Sequence, residues 1–441
     1  MFGLKSVYFY LIACQIILVK TLKKLYFSSK NYNKSLKSIA PQQVYYNPNP
    51  FLLSIITTYN KKLFKISEID PNFFWIEDKK KDFKEIHSFF WLNLIDRKTD
   101  HKKLKKIIYI WMLKNSKYKK ETWNASTLSR RVISWILNID IILNNSTFDF
   151  RRNFLGCIIT QTNHLKRNIR FEKDYTIKLE ILTSIILSGL VFKEYEDNYK
   201  LGIGELESLV KSFFDNEGFP LSRNPKDLFF FTKYLILCKE VISDSQKYVP
   251  EFLEDIIEKN IVCLNYIKTP NNQLPLFNGS TVTNLNQIDK YLANTKQKKK
   301  LNKHIGGLFK AKYKAHQVFI DIENPPQKNL SKCYQSGPLS FEYFLDGLKI
   351  ISNSGFGVNI SKKAETLSRL TACQSTLTLN DTSVTRFEKN ELINRVFGNS
   401  IQDSFKFYDL ETKNENTLIG CSTTNNGYEK KFGCTHRREI Y

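Results

Sequence analysis

The spacing of apolar residues divides this chain into two parts. Between His87 and Ile267, large apolar residues recur three and four positions apart with polar residues between them, which predicts amphipathic helices. Such helices, joined by short polar turns, predict one all-α domain. Paired amphipathic helices bury one face only, so they commonly stack into a solenoid or close into an α/α toroid. The clearest helical segments are TLSRRVISWILNIDIILN, RRNFLGCIITQTNHL, KLEILTSIILSGLVF, DLFFFTKYLILCKEVI and YVPEFLEDIIEKNIVCLNYI.

Beyond about residue 300 the apolar period falls from 3.6 to two, the period of a half-buried strand. The stretch from His316 to Leu379 contains three such runs. Asp346 and Gly347 supply the two residues of a tight type I′ turn, so the middle run is predicted to fold back as a hairpin. The alternating apolar residues are Val318, Ile320 and Ile322, then Leu339, Phe341 and Tyr343, then Leu377 and Leu379.

We therefore predict a multidomain α+β protein. Residues 1–40 form an apolar and basic segment, residues 41–300 the helical domain, and residues 305–441 an antiparallel β-domain. The charged linker KQKKKLNKHIGG at residues 296–307 separates the last two, and its Gly306-Gly307 pair marks the boundary.

Residues 7–19 form an apolar run preceded by Lys5 and followed by Lys20, Lys23 and Lys24. The run is shorter than the roughly 20 residues of a membrane span. It has the length of a signal-peptide core, but no small-x-small cleavage site follows, and the basic residues concentrate on the wrong side for export. An uncleaved amphipathic or buried first helix is the favoured interpretation, and we expect no integral membrane span.

The chain is strongly basic, with a formal net charge of +24. Such a surface attracts polyanions, whether acidic polysaccharide, nucleic acid or phospholipid headgroups. The alternative is that the lysines are ordinary solvated surface. No nucleic-acid-binding motif is present in the sequence, so we expect no nucleic-acid partner. The cysteines lack CxxC spacing, which suggests neither a zinc knuckle nor a redox pair.

Turn segments between the predicted helices carry an aromatic residue or a guanidinium. The segment KETWNASTLSRR offers Trp123, Arg130 and Arg131, and DNEGFPLSRNPKD offers Arg223 and Asn224. Such residues at helix ends suit the rim of a binding cleft. The alternative is helix capping, in which a residue such as Asn224 closes a helix N-terminus.

Seven segments between about residue 85 and the last residue form a pattern in a fixed order: HSFFWLNLID, ETWNASTLSRRVISWI, EGFPLSRNPKDLFF, QLPLFNGS, SGPLSFEYFLDGLKIISNSGFG, SRLTACQSTL and NNGYEKKFGCTHRRE. Together they resemble the heparinase II/III-like family of polysaccharide lyases, especially its alphaproteobacterial branch. The resemblance implies an N-terminal α/α toroid followed by a β-sandwich domain, and a cleft that holds an acidic sugar chain.

The chain departs from the family pattern where chemistry is expected. The family's Asn-His pair corresponds to Asp174-Tyr175-Thr176 here, and its Tyr-His pair corresponds to Asp227-Leu228. Three positions that hold metal ligands in relatives carry amides in this chain, and amides are poor zinc ligands. We therefore expect neither metal nor other cofactor. The three amides are Gln335, Asn353 and Gln374. Without metal ligands at these positions, His436 has no evident partner ligand.

The chain also ends inside a strand-like segment, where relatives continue. We therefore expect a shortened β-domain with an unpaired edge.

Two functions follow from the resemblance. The first is a carbon–oxygen lyase that cleaves an anionic, uronate-containing polysaccharide by β-elimination. In this view Arg130, Arg131, Arg223 and Asn224 bind the carboxylate, and Tyr175 or His164 transfers the proton. The second is a polysaccharide-binding protein that has lost the lyase residues. Further residues assigned to substrate binding are Trp123, Gln335, Gln374 and His436.

Either function implies a location in the cell envelope or periplasm, with the cytoplasm as the alternative. The sequence leaves the polysaccharide and the oligomeric state open.

Overall fold

A computed structural model describes residues 4–57, 70–71, 75, 83–98, 101–294, 304–414 and 418–441. The chain divides into two compact units. The helical unit comprises Val19–Ser212 and Lys233–Asp255. The strand unit comprises Met1–Leu18, Phe213–Thr232 and Ile256–Tyr441.

Helices dominate the chain up to residue 294, as the apolar period of three to four predicts. They are α1 (Leu4–Ser28), α2 (Lys30–Ser35), α3 (Phe83–Ser88), α4 (His101–Asn115), α5 (Ala125–Leu137), α6 (Ile139–Leu143), α7 (Phe148–Asn168), α8 (Tyr175–Val191), α9 (Glu196–Phe213), α10 (Pro225–Asp244), α11 (Glu251–Ile267) and α12 (Asp289–Ala293).

Helix α8 is strongly apolar and is buried along most of its length. Every residue from Leu179 to Val191 is buried, which explains why its sequence is apolar on all sides. Its N-cap is Asp174, whose carboxylate accepts hydrogen bonds from the backbone N–H groups of Thr176 and Ile177. This cap satisfies two of the amides that a helix N-terminus leaves unpaired.

Two antiparallel sheets form the core of the strand unit. One has the order β1-β2-β3-β4-β5 and the other the order β6-β7-β8. The buried residues Phe309, Ile320, Ile322, Leu339 and Cys421 form a core to which both sheets contribute. The strands are β1 (His304–Ile305), β2 (Leu308–Tyr313), β3 (His316–Asp321), β4 (Phe341–Leu345), β5 (Leu348–Ile351), β6 (Phe407–Asn414), β7 (Ile419–Asn425) and β8 (His436–Ile440), with helices α13 (Lys362–Leu367), α14 (Glu391–Phe397) and α15 (Glu429–Phe432) between them.

The predicted hairpin is confirmed. Strands β4 and β5 pair in an antiparallel register with Leu345 opposite Leu348, and the turn residues Asp346 and Gly347 both have positive φ, 49° and 82°. Both angles suit a type I′ turn.

Two predictions about the strand part are wrong in detail. The run around Leu377 and Leu379 is not a strand. It follows a 3₁₀ turn at Thr371–Cys373, and its pairing is limited to an isolated bridge between Leu379 and Thr382. Gly306 and Gly307 do not lie between domains, since they form the turn that joins β1 to β2. Apolar alternation at Leu377 and Leu379 was therefore not sufficient to predict a strand, because it does not report whether a neighbouring strand pairs with the segment.

The secondary structure changes from helix to strand near residue 300, but the boundary between the two compact units does not lie at that position. Residues Phe213–Thr232 and those from Ile256 onward pack with the strands. Residues 296–303 of the predicted linker lie outside the described residues.

The apolar run at residues 7–19 belongs to α1, a helix of 25 residues. None of the helices in the described part of the chain is long and apolar enough to cross a membrane.

Candidate functional site

Arg131, in helix α5, is fully buried in the helical unit. Its Nε donates to Gln161 Oε1 at 2.7 Å, and its Nη1 donates to the carbonyl oxygens of His87 and Thr122 at 2.9 and 3.0 Å. The guanidinium also lies 4.3 Å from the ring centre of Trp111. These contacts hold Arg131 in the core, which corrects the expectation that it reaches a substrate carboxylate.

Arg130, its neighbour in sequence, lies on a different side of α5 and keeps 38% of its side chain exposed. Its Nε donates to Glu180 Oε1 at 2.6 Å, and Tyr234 Oη donates to the same oxygen at 3.2 Å. Glu180 is 1% exposed. Within the described part of the chain, its second oxygen, Oε2, has no hydrogen-bond partner.

Burial raises the pKa of Glu180 above its ordinary value, and the positive charge of Arg130 opposes that rise. The cluster therefore joins a carboxyl group with a raised pKa to a guanidinium that reaches solvent. Sequence reasoning missed Glu180 and Tyr234. The available signal was a single acidic residue inside the apolar run KLEILTSIILSGLVF, because a charge in such a run is rarely buried without a partner.

Trp123 and His164 are also interior residues. Trp123 Nε1 donates to the carbonyl oxygen of Asn115 at 2.9 Å, and its ring packs edge-on against His164 at 5.3 Å. Both side chains are at most 5% exposed. Neither is placed to contact a sugar, which corrects both assignments.

His164 Nδ1 lies 2.7 Å from Tyr32 Oη. Burial, with a smaller effect from Arg167, lowers the pKa of His164 to about 4, and burial raises the pKa of Tyr32 to about 12. The imidazole and the phenol are therefore both neutral at physiological pH, and the tautomer of His164 sets which of the two donates the hydrogen bond. This is a tyrosine–histidine pair of the kind that proton transfer uses, but both residues are buried.

Tyr175 is the first residue of α8 and is half-buried. It follows the N-cap residue Asp174, whose Oδ1 also accepts from Thr176 Oγ1 at 2.6 Å. The triplet Asp174-Tyr175-Thr176 therefore closes a helix end. Tyr175 keeps partial access to solvent, and its role in proton transfer stays a prediction.

Arg223 forms a buried ion pair in the strand unit. Its Nη2 lies 2.5 Å from Asp321 Oδ1 at the end of β3, and its side chain is 8% exposed. Its Nη1 donates to the carbonyl oxygens of Glu323 and Asn324, each at 2.8 Å. The expectation of a solvent-accessible guanidinium at this position is wrong, because Asp321 and two carbonyl groups enclose it.

Two neighbours reinforce this arrangement. A Cβ on Gly307 would lie 2.3 Å from Arg223 Nη2, so the β1–β2 turn requires glycine there. Asn224 is 3% exposed, and its Oδ1 accepts from the backbone N–H of Lys226 in the first turn of α10 at 2.9 Å. The capping alternative therefore describes Asn224, and the assignment to a substrate carboxylate does not fit its burial.

The amides Gln335 and Gln374 meet at one carbonyl group. Gln335 Nε2 and Gln374 Nε2 both donate to Ser368 O, at 2.8 and 2.7 Å. Gln335 also donates to Gly355 O at 3.2 Å and accepts from Gly279 N at 3.0 Å. The side chains that would contact a ligand are thus engaged with the backbone.

Asn353, the third amide, lies in the same unit. Its Oδ1 accepts from Ser375 N at 2.9 Å and from Ser375 Oγ at 3.0 Å. All three amides are at most 8% exposed. Among the described residues, no group of three His, Cys, Asp or Glu side chains is arranged to hold a metal ion.

His436, the first residue of β8, is 9% exposed. Burial, with a smaller effect from Arg438, lowers its pKa to about 4. His436 is therefore neutral at physiological pH and is not a cation for an acidic sugar.

The sequence profile described as "Heparinase II/III-like, C-terminal" matches residues 296–441. No curated protein sequence matches the chain. Solved structures resemble it across most of its length. The "Heparinase III-BT4657 gene product" is 16% identical with a TM-score of 0.60, and the match covers 88% of this chain and 66% of that one.

The heparan sulfate lyase HepC from Pedobacter heparinus is 18% identical with a TM-score of 0.57, over 89% of this chain and 66% of that one. A structure named "Heparinase III" is 12% identical with a TM-score of 0.59, over 86% of this chain and 68% of that one. The chain thus spans just under two thirds of the length of the first two structures.

These likenesses confirm the predicted fold class. Residues 296–441 match the heparinase II/III-like C-terminal profile, and the chain has the fold of the heparinase III structures, with a helical N-terminal part followed by antiparallel sheets.

Proposed function

We propose that this heparinase II/III-like protein is polysaccharide lyase-like and takes an acidic, uronate-containing polysaccharide as its partner. The family profile and the fold support this class of function. The net charge of +24 supports an anionic partner, because a basic surface raises the local concentration of polyanions.

Two activities are compatible with this partner. Cleavage by β-elimination requires a group that neutralises the uronate carboxylate, a base that removes the C5 proton and an acid that protonates the leaving oxygen. Arg130 is partly exposed and Tyr175 half-buried, so these two residues carry the elimination hypothesis. Glu180 adds a carboxyl group with a raised pKa next to Arg130.

Binding without cleavage is the activity that the geometry favours. The observation that carries this conclusion is the amide pair Gln335 and Gln374, which donates to the backbone at Ser368 where the family resemblance places metal ligands. The buried state of His164 supports it, because an imidazole that is 5% exposed and already paired with Tyr32 does not reach a substrate proton.

We place this function in the cell envelope, where a partner of this chemical class is accessible. The cytoplasm is the alternative, and the proposed location rests on the class of partner alone.

The test is to incubate the full chain with heparan sulfate, alginate and hyaluronan, and to measure two quantities on the same samples. One is affinity, by titration calorimetry at low salt. The other is the ultraviolet absorbance of the unsaturated uronate that elimination produces, with an active heparan sulfate lyase as positive control.

We expect binding that weakens about tenfold or more as salt rises by a few tenths molar, and no new absorbance. New absorbance that disappears in Tyr175→Phe would establish elimination instead. Absence of binding to every polyanion at low salt would reject both activities.

A further inference from the structure

Helix α1 presents an exposed apolar stripe. Its members are 48% to 68% exposed and are separated by four, seven, four and three positions. That spacing places them on one face of a helix. At about 1.5 Å per residue the helix is about 38 Å long. The stripe consists of Val7, Leu11, Leu18, Leu22 and Leu25.

Other side chains hold α1 against the rest of the protein. Ala13 is fully buried, and the ring of Phe27 lies 5.2 Å from that of His164. The exposed stripe therefore belongs to a helix that is packed on another side. Isolated exposed leucines are common on protein surfaces, but a continuous apolar stripe marks an interaction surface.

The charge around α1 indicates what covers it. Residues 1–67 contain ten lysines and no aspartate or glutamate. A helix is only about 10–12 Å wide, so lysines on its other sides remain within about a Debye length of whatever the stripe contacts. Exposed lysines of α1 and the segment after it are Lys20, Lys24, Lys30, Lys34 and Lys37.

The aromatic residues of α1 agree with this charge. Tyr8, Tyr10 and Tyr26 are all exposed, and tyrosine is enriched where an apolar phase meets water. An apolar face together with an excess of lysine is typical of helices that lie in a membrane interface.

We propose that α1 lies on an anionic lipid surface, with its stripe inserted at the boundary between headgroups and acyl chains. The helix lies in the plane of the interface, since none of the helices in the described ranges meets the requirement for a span. A second copy of the chain is the other possible occupant. It is less favoured because it would bring together two segments that contain lysine and no acidic residue.

The test uses the full chain and sedimentation with lipid vesicles. One set of vesicles contains equal parts of phosphatidylglycerol and phosphatidylcholine, and the other contains phosphatidylcholine alone. We expect binding to the anionic vesicles at low salt, and binding at least about tenfold weaker to the neutral ones or at high salt.

The double variant Leu18→Glu/Leu22→Glu should reduce binding to anionic vesicles about tenfold or more, because it places two carboxylates in the stripe. The matched control is Leu348→Glu/Ile360→Glu, which changes two exposed apolar residues of the strand unit, 68% and 82% exposed. This control should bind vesicles as the unchanged chain does. Circular dichroism checks that both variants are folded.

Equal vesicle binding by the stripe variant and the unchanged chain would overturn the proposal. So would a dimer in analytical ultracentrifugation that dissociates in the stripe variant, if the unchanged chain does not bind vesicles. Polysaccharide binding should persist in the stripe variant, so the result is separable from the proposed function.

Discussion

Arg130 and Arg223 each form an ion pair with a buried acidic residue, yet the two pairs differ in how the arginine is enclosed. Arg223 is 8% exposed and bonds to Asp321 and two backbone carbonyls. Arg130 is 38% exposed, and Glu180 keeps one oxygen without a hydrogen-bond partner among the described residues. The Arg223 pair joins a loop to the end of strand β3. In the Arg130 pair, a carboxylate oxygen without a hydrogen bond lies beside a guanidinium that reaches solvent.

This difference shows why an arginine near a helix end is a weak indicator of a binding site. Both arginines occur in segments that resemble the same family, and both were assigned to a substrate carboxylate. What separates them is the number of internal acceptors that each guanidinium finds. A buried guanidinium with several acceptors is structural, because removing it would leave those acceptors unsatisfied.

The largest expected effect is on the Arg223 pair. Arg223→Ala leaves Asp321 buried without its counter-charge, so the free energy of unfolding should fall by about 3–5 kcal/mol. Arg223→Lys is the matched control. It keeps the charge but loses the planar fork that also reaches two carbonyls, and should therefore cost less. Denaturant unfolding measures both variants.

A variant Arg223→Ala that unfolds like the unchanged chain but no longer binds heparan sulfate would reverse this interpretation. It would make Arg223 a binding residue, as the sequence predicted.

Acid should destabilise the protein through its buried histidines, whose pKa values are lowered in the folded state. The two arginines stay charged as the pH falls and do not contribute. His164 has a folded pKa of about 4 against an ordinary value of 6.5, so its neutral form is favoured in the folded state. Its stabilising contribution is complete above pH 6.5 and is lost as the pH falls towards 4. That difference corresponds to roughly 3 kcal/mol.

His436, in the strand unit, acts in the same direction. The measurement is the free energy of unfolding between pH 7 and pH 4, and His164→Gln should flatten the curve. An unchanged slope in that variant would assign the acid sensitivity elsewhere. Glu180 acts in the opposite direction, since its raised pKa favours the folded state as the pH falls.

The smallest expected effect is on the Arg130 pair. Glu180→Gln keeps the shape and an acceptor for Arg130 but removes the negative charge. Because Arg130 remains solvated, stability should change by less than about 1 kcal/mol. The released positive charge should raise heparan sulfate affinity at low salt about two- to threefold.

Calorimetry at low salt measures this gain. The control is Glu207→Gln, which removes the same negative charge from an exposed pair with Lys211. A stability loss as large as that of Arg223→Ala would show that the two pairs have the same structural role.

The sequence by itself determined the local structure. Apolar spacing identified the helices and the change to strands near residue 300, and the Asp346-Gly347 pair identified the hairpin. Asn224 was correctly recognised as a possible cap. These features depend on residues a few positions apart, for which side-chain spacing and backbone preference are sufficient.

Only the tertiary structure decided which polar residues are accessible. Arg223 meets Asp321 across 98 positions, and Gln335 meets Ser368 across 33. The apolar period does not predict such pairings. It indicates which face of a helix or strand is buried, but not which residues of another element that face contacts. Arg130 and Arg131 are adjacent in sequence, yet one is partly exposed and the other is fully buried, since successive residues of a helix point about 100° apart.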